Sequence, residues 1–126
     1  MTTKTNLYQI RIPNRDKHMQ LIDDNQMQSA RDETIAYLLA YAGGCEARIT
    51  LGYYKGESGR MFTEQTHIIS AHVPDTEHDD IPVEDIELHC KDLARALNQE
   101  CIMYSKTPSE MKLVFQVSVK DALLSM

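Results

Sequence analysis

The sequence predicts a single α+β domain, and three observations carry that expectation. Two stretches have helical spacing, several others alternate as strands do, and the balance of apolar and charged residues is that of an ordinary globular chain. The 126 residues, 42% apolar and 25% charged, fit one domain spanning residues 1–126 with its own core. A chain of this length buries roughly two-thirds of the surface it exposes when unfolded, so it needs no staples.

The first strand is read at residues 7–12, Leu7 to Ile12, stopping at Pro13, which has no N–H to extend a ladder. Residues 14–28 are polar, and Met19, Leu21 and Ile22 fit either a short strand or the entry to a helix. Ser29 is then a candidate N-cap, with Asp32 and Glu33 in the first turn. Ala30, Thr34, Tyr37, Leu38 and Tyr41 follow at helical spacing, and Gly43 or Gly44 offers a left-handed C-cap. Over residues 47–54, Ala47, Ile49, Leu51 and Tyr53 share one face of a strand, which puts Tyr53 on the core face and Tyr54 on the other. Residues 55–60 form a turn, and a long strand returns over 61–73, making a hairpin. Past Pro74 and an acidic loop, Glu84 and Asp85 suit the first turn of a second helix. Ile86, Cys90, Leu93, Ala94 and Leu97 form its apolar stripe and Asn98 its stop. Residues 100–105 and 111–119 are read as two last strands with a loop at 106–110. The order β-α-β-β-α-β matches the ferredoxin-like arrangement with an added C-terminal strand, two helices covering one face of an antiparallel sheet. The other face is left to solvent or to a second copy of the chain in a homodimer.

The net charge of −6 is local. Asp75, Glu77, Asp79, Asp80, Glu84, Asp85 and Glu87 put seven carboxylates within thirteen residues, leaving twelve acidic and thirteen basic residues elsewhere. Phosphate binding needs clustered Lys and Arg, so no direct nucleic-acid contact is expected. No apolar run reaches bilayer length and the N-terminus has no signal-peptide pattern, so a cytoplasmic location is expected, with no membrane partner. Cys45, Cys90 and Cys101 are odd in number and widely spaced, hence reduced thiols. Cys90 on a helix and Cys101 on a strand are both read as buried packing residues.

The five histidines supply no metal motif. His67 and His72, five apart on one strand, point to opposite faces. His72, His78, Asp79, Asp80 and His89 could converge near the acidic loop, but lack the close spacing of a metal site. No histidine is followed two residues later by a hydroxyl, and no Gly-x-Ser-x-Gly elbow occurs. No metal, cofactor or catalytic residue is therefore assigned. Gln99 and Glu100, where the second helix hands over to a strand, could be catalytic, but a helix end also needs polar groups to satisfy its carbonyls and turn the chain, and that structural use is favoured. The turn Tyr53-Tyr-Lys-Gly-Glu-Ser-Gly-Arg60 combines glycine amides with Lys55 and Arg60, a set able to hold a phosphate. It is not a Walker loop, and glycines in a hairpin turn also serve positive φ.

The stretch Leu93-Ala-Arg-Ala-Leu-Asn-Gln-Glu-Cys-Ile-Met-Tyr104 resembles small uncharacterised phage and bacterial α+β domains. In these a helix ends in Asn/Gly-Gln-Glu-Ser and runs into an apolar strand; here Cys101 stands where Ser is usual. A segment like Leu51-Gly-Tyr-Tyr-Lys-Gly56 also precedes their long hairpin strand. The resemblance implies a phage or prophage accessory protein acting in the host cytoplasm, and brings no catalytic residues with it. The leading functional expectation is non-catalytic binding of a host protein, as a counter-defence inhibitor of anti-CRISPR-like kind. Its contact residues would be Asp75, Glu77, Asp79, Asp80, Glu84, Asp85 and an outward Tyr54. The alternative is a nucleotide or small-ligand binder, a sponge or a minor hydrolase, using Tyr54, Lys55 and Arg60.

Overall fold

The computed structural model describes residues 2–116, apart from the side chain of Tyr54. The elements are β1 (Thr2–Pro13), α1 (Asp24–Leu39), β2 (Glu46–Lys55), β3 (Met61–Pro74), α2 (Val83–Ala96) and β4 (Met103–Lys112). The four strands form one antiparallel sheet in the order β2-β3-β1-β4. This is the ferredoxin-like β-α-β-β-α-β fold, with both helices on one face.

Strand alternation explains the core. Tyr8, Ile10 and Ile12 of β1 stand beside Ala71 and Ile69 of β3 on the helix side and are fully buried. Met27, Ala30 and Leu38 of α1 and Ile86, Cys90 and Leu93 of α2 close over them. Leu7, Gln9 and Arg11 take the opposite face beside His72, Ser70 and Ile68, and among the described residues this face has no helix on it.

Several local expectations change. Helix α1 starts at Asp24, capped by the Asp23 carboxylate accepting from the Asn25 N–H, so Ser29 lies inside the helix. Its first turns show only Met27 and Ala30 to the core, too few apolar residues to announce a helix. Its C-cap is Ala40 in ordinary right-handed geometry, and of the described glycines only Gly59 has positive φ. Asn98 does end α2 in the left-handed region, at φ 52°. The loop expected at 106–110 is instead strand, so the two expected C-terminal strands are one, β4. Pro108 is tolerated because β4 is an edge strand, bonded among the described residues only to β1. Residues 117–119 of the expected last strand lie outside the described residues.

The hairpin outruns its cover. β1 pairs with β3 only from Thr66 onward, whereas β2 pairs with β3 from Met61. Ile49, Leu51 and Tyr53 share the face that carries the helices, yet they are exposed, because the helices lie over β1 and β3. Tyr53 is therefore not a core residue.

Candidate functional site

The far end of the sheet, where β1 stops and β3 and β4 begin, carries a cleft of about 230 Å³. It is lined by Arg15, Asp16 and Lys17 from the β1–α1 connection, Glu64 from β3, and Gln99 and Glu100 from the α2–β4 turn, among others. Local hydrogen bonds make the connection rigid. The Asn14 N–H donates to the Gln65 carbonyl (2.9 Å) and the Ile22 N–H to the Asn14 carbonyl (2.8 Å). The Asp16 carboxylate accepts from the His18 and Gln20 N–H groups.

Arg15 reaches from this loop to the hairpin. Its Nε donates to the Thr63 carbonyl (3.0 Å) and its Nη1 to the Met19 carbonyl (2.8 Å). Its guanidinium also stands 6.0 Å from the Phe62 ring centre, with Arg60 nearby at 5.2 Å. Glu64 is half-buried beside it. Burial pushes the Glu64 carboxyl up and the Arg15 guanidinium pulls it back, leaving it above the usual glutamate range. The cleft thus sets one partly desolvated carboxylate, Glu64, among charged side chains of both signs.

The residues singled out in the sequence are dispersed. The turn at 55–60 is closed by its own amides, Gly56 N–H to the Arg60 carbonyl (2.8 Å) and Gly59 N–H to the Gly56 carbonyl (3.0 Å). The glycine N–H groups invoked for a phosphate are thus spent inside the turn. Gly56 also has no room for a side chain, since a Cβ there would stand 2.8 Å from Phe62. Lys55 and Arg60 lie on this exposed turn, outside the cleft. Tyr54 sits opposite Phe62 in the hairpin, and its side chain lies outside the described residues.

The acidic run divides by role. Asp80 is an internal hub: it accepts from Tyr8 Oη (2.8 Å), Asn6 Nδ2 (3.2 Å) and Lys106 Nζ (2.9 Å). Burial alone would raise its carboxyl, but the bonds from Lys106, Tyr8 and the Ile81 backbone outweigh that and hold it low. Tyr8 is pushed up by burial first and by Asp80 second. Asp75 accepts from Asn6, Asp79 from Thr76, and Asp85 from Tyr41, while Glu77 and Glu84 are exposed.

His67 and His72 do face opposite sides; His67 is buried against the helices and His72 pairs with Thr5 at 3.2 Å. His89 lies between the helices, 3.0 Å from Thr34 Oγ1 and stacked on Tyr37 at 4.3 Å. Among the described residues no three His, Cys, Asp or Glu side chains gather as a metal site. Cys90 is buried, its thiol pushed up to about 11 by burial first and by Glu87. Cys101 is exposed, contrary to expectation, because it precedes β4 in the turn that forms the cleft. No described helix is long and apolar enough to cross a membrane.

Sequence reasoning noticed Gln99 and Glu100 but not Glu64. An isolated glutamate in a hairpin strand carries no motif; only the pairing of β3 and the placing of the β1–α1 loop bring it to the cleft that Glu100 also lines.

The comparisons with known proteins bear on the fold alone. No family model matches the chain, and no curated protein matches it in sequence. Two solved structures share the fold. One is a phage SAM lyase in complex with S-methyl-5'-thioadenosine, 13% identical, with a TM-score of 0.54 over 86% of this chain and 90% of that one. The other is a phage SAM lyase in the apo state, 15% identical, with a TM-score of 0.50 over 91% and 93%.

Proposed function

We propose that this chain binds a small sulfonium nucleoside of the S-adenosylmethionine class in the cleft between Glu64 and Glu100, and cleaves it as a lyase. The observation that carries the reading is the convergence of those two carboxylates with Arg15 and Lys17 in one cleft, on a fold shared with a protein solved with a methylthioadenosine ligand. The charges are complementary. Such a ligand bears two positive groups, its sulfonium and its ammonium, and one negative carboxylate. Glu64 and Glu100 suit the first two, and Arg15 or Lys17 the third.

At about 230 Å³ the cleft is smaller than the roughly 300–1,000 Å³ typical of whole-ligand pockets. It suits the charged amino-acid half, with the nucleoside at the mouth. The chemistry asks little of the protein beyond placement. When the carbon–sulfur bond breaks, its electron pair goes to sulfur and cancels the positive charge, so the leaving thioether needs no acid. The carbon side is completed in one of two ways. A carboxylate takes a neighbouring proton as a double bond forms, or the ligand's own carboxylate closes on the carbon. The fold likeness and this cleft support the small-ligand reading over docking on a host protein, and the reading takes the sheet end rather than the 55–60 turn as its site.

The test is thermal-shift and calorimetric titration with S-adenosylmethionine and methylthioadenosine, followed by product analysis. S-adenosylmethionine should raise the melting temperature, and Glu64→Gln should weaken its binding far more than that of the neutral thioether. No shift at millimolar ligand, or equal effects on the two compounds, would sink the proposal.

A further inference from the structure

The cleft lies beyond the last β1–β4 pair. β4 pairing with β1 ends at Arg11 and Met103, two residues short of Pro13. Beyond that point the Gln99 side chain takes over. Its Nε2 donates to the Pro13 carbonyl at 2.6 Å and to the Arg15 carbonyl at 3.0 Å. Both partners are carbonyl oxygens, so the orientation of the amide is fixed by chemistry: only its NH₂ can face them. Its own backbone N–H donates to the Ala94 carbonyl at 2.8 Å, and the Lys17 N–H donates to the Asn98 carbonyl at 2.9 Å. Gln99 is thus held by α2 on one side and grips the β1 exit on the other.

The grip leaves a polar atom without a bond. Gln99 Oε1 is buried with no hydrogen-bond partner among the described residues, an arrangement that costs stability and calls for an explanation. A side chain that only finished the helix could turn its oxygen to water. Here both amide protons are committed to the two carbonyls that bracket Asn14, immediately before the Arg15 side chain leaves for Thr63 and Glu64. The next residue along the chain is Glu100.

We propose that Gln99 is a positioning residue: its side-chain amide fixes the β1 exit against the α2 exit and so holds Arg15 and Glu64 in register with Glu100 across the cleft. It acts through Arg15 and Glu64. The ligand it serves rests on the function proposed above, but the positioning itself does not. The charged groups around the cleft are Arg15, Asp16 and Lys17 from the β1–α1 loop, Glu64 from β3, and Glu100 from the turn. Of these, Arg15 is the group that lowers the Glu64 carboxyl, so its placement can be read from Glu64 without any ligand.

The experiment follows the Glu64 carboxyl by carbon-13 NMR titration in the ligand-free full chain, in the wild type, Arg15→Met, Gln99→Met and Gln99→Asn. Arg15→Met sets the reference by moving the Glu64 titration to higher pH. Gln99→Met should move it the same way while far-UV circular dichroism stays native, and should weaken S-adenosylmethionine binding by about tenfold or more. Gln99→Asn, whose shorter arm keeps the amide, should move it less, and decides the matter if Gln99→Met does not fold. A Glu64 titration unchanged in a folded Gln99 variant overturns the proposal. Failure of the wild type to bind S-adenosylmethionine would count against the lyase reading alone, because the Glu64 titration still reports on Gln99.

Discussion

The two ends of the sheet use carboxylates in opposite ways. At the end where α2 begins, Asp80 accepts from Tyr8, Asn6 and Lys106, and against its burial the bonds from Lys106 and Tyr8 hold its carboxyl low. At the end where β1 stops, Glu64 is half-buried, with its carboxyl raised by burial and only partly countered by Arg15. One group is satisfied and holds the fold together; the other is kept uneasy and available. The acidic run at 75–87 draws attention by number, but its best-buried member is structural. Glu64, by contrast, stands alone in the sequence, in no run and no motif.

Four results would break or sharpen that contrast. The largest effect is expected at the satisfied end. Asp80→Ala leaves Tyr8 Oη, Asn6 Nδ2 and Lys106 without their shared acceptor and should cost about 2–3 kcal/mol in denaturant unfolding. It should leave ligand binding at the far end unchanged; a variant as stable as the wild type would remove the hub from the account. Glu64→Gln should do the reverse. It removes a partly desolvated charge, so the melting temperature should hold or rise slightly while the shift caused by S-adenosylmethionine disappears.

A smaller effect is expected from pH. His67 is held below its ordinary value by burial first and then by Arg31, and His89 by burial despite Glu33 and Asp92. The folded state therefore prefers both rings neutral, whereas the unfolded chain takes up protons near 6.5. Their contribution is complete above that value and is lost as pH falls through the depressed folded values. Urea midpoints should drop on going from about pH 7 to about pH 5, and His89→Gln should flatten the slope. An equally steep slope in that variant would assign the acid sensitivity elsewhere. The smallest effect belongs to the uncovered hairpin. Ile49→Thr and Leu51→Thr should change the stability of the isolated chain by no more than about 0.5 kcal/mol. A larger loss would mean that this face is covered in solution.

Much of the fold was legible because it rests on local periodicity. Ile86, Cys90, Leu93 and Leu97 announce α2, and the alternation through 47–54 and 61–73 announces the hairpin with nearly its observed ends. Asn98 as the helix stop was legible for the same reason, a short polar side chain tolerating the left-handed region. The start of α1 was not, because its first turns face water and show few apolar residues. Nor was β4 as one strand, because Pro108 reads as a break unless the strand is known to lie at an edge. Tyr53 was misplaced because alternation says which side a residue faces and not whether anything lies over it.

By itself, then, the sequence determined the order of the first five elements, the core stripe of α2 and the opposed faces of His67 and His72, since these follow from spacings of two and 3.6 residues along the chain. The tertiary structure alone decided which carboxylate is spent and which is free. Asp80 and Lys106, or Glu64 and Glu100, are dozens of residues apart, and their environments come from strand pairing and from one loop held by the Gln99 amide. Whether a charge is satisfied depends on what stands within about 3 Å of it, and that distance is a property of the fold.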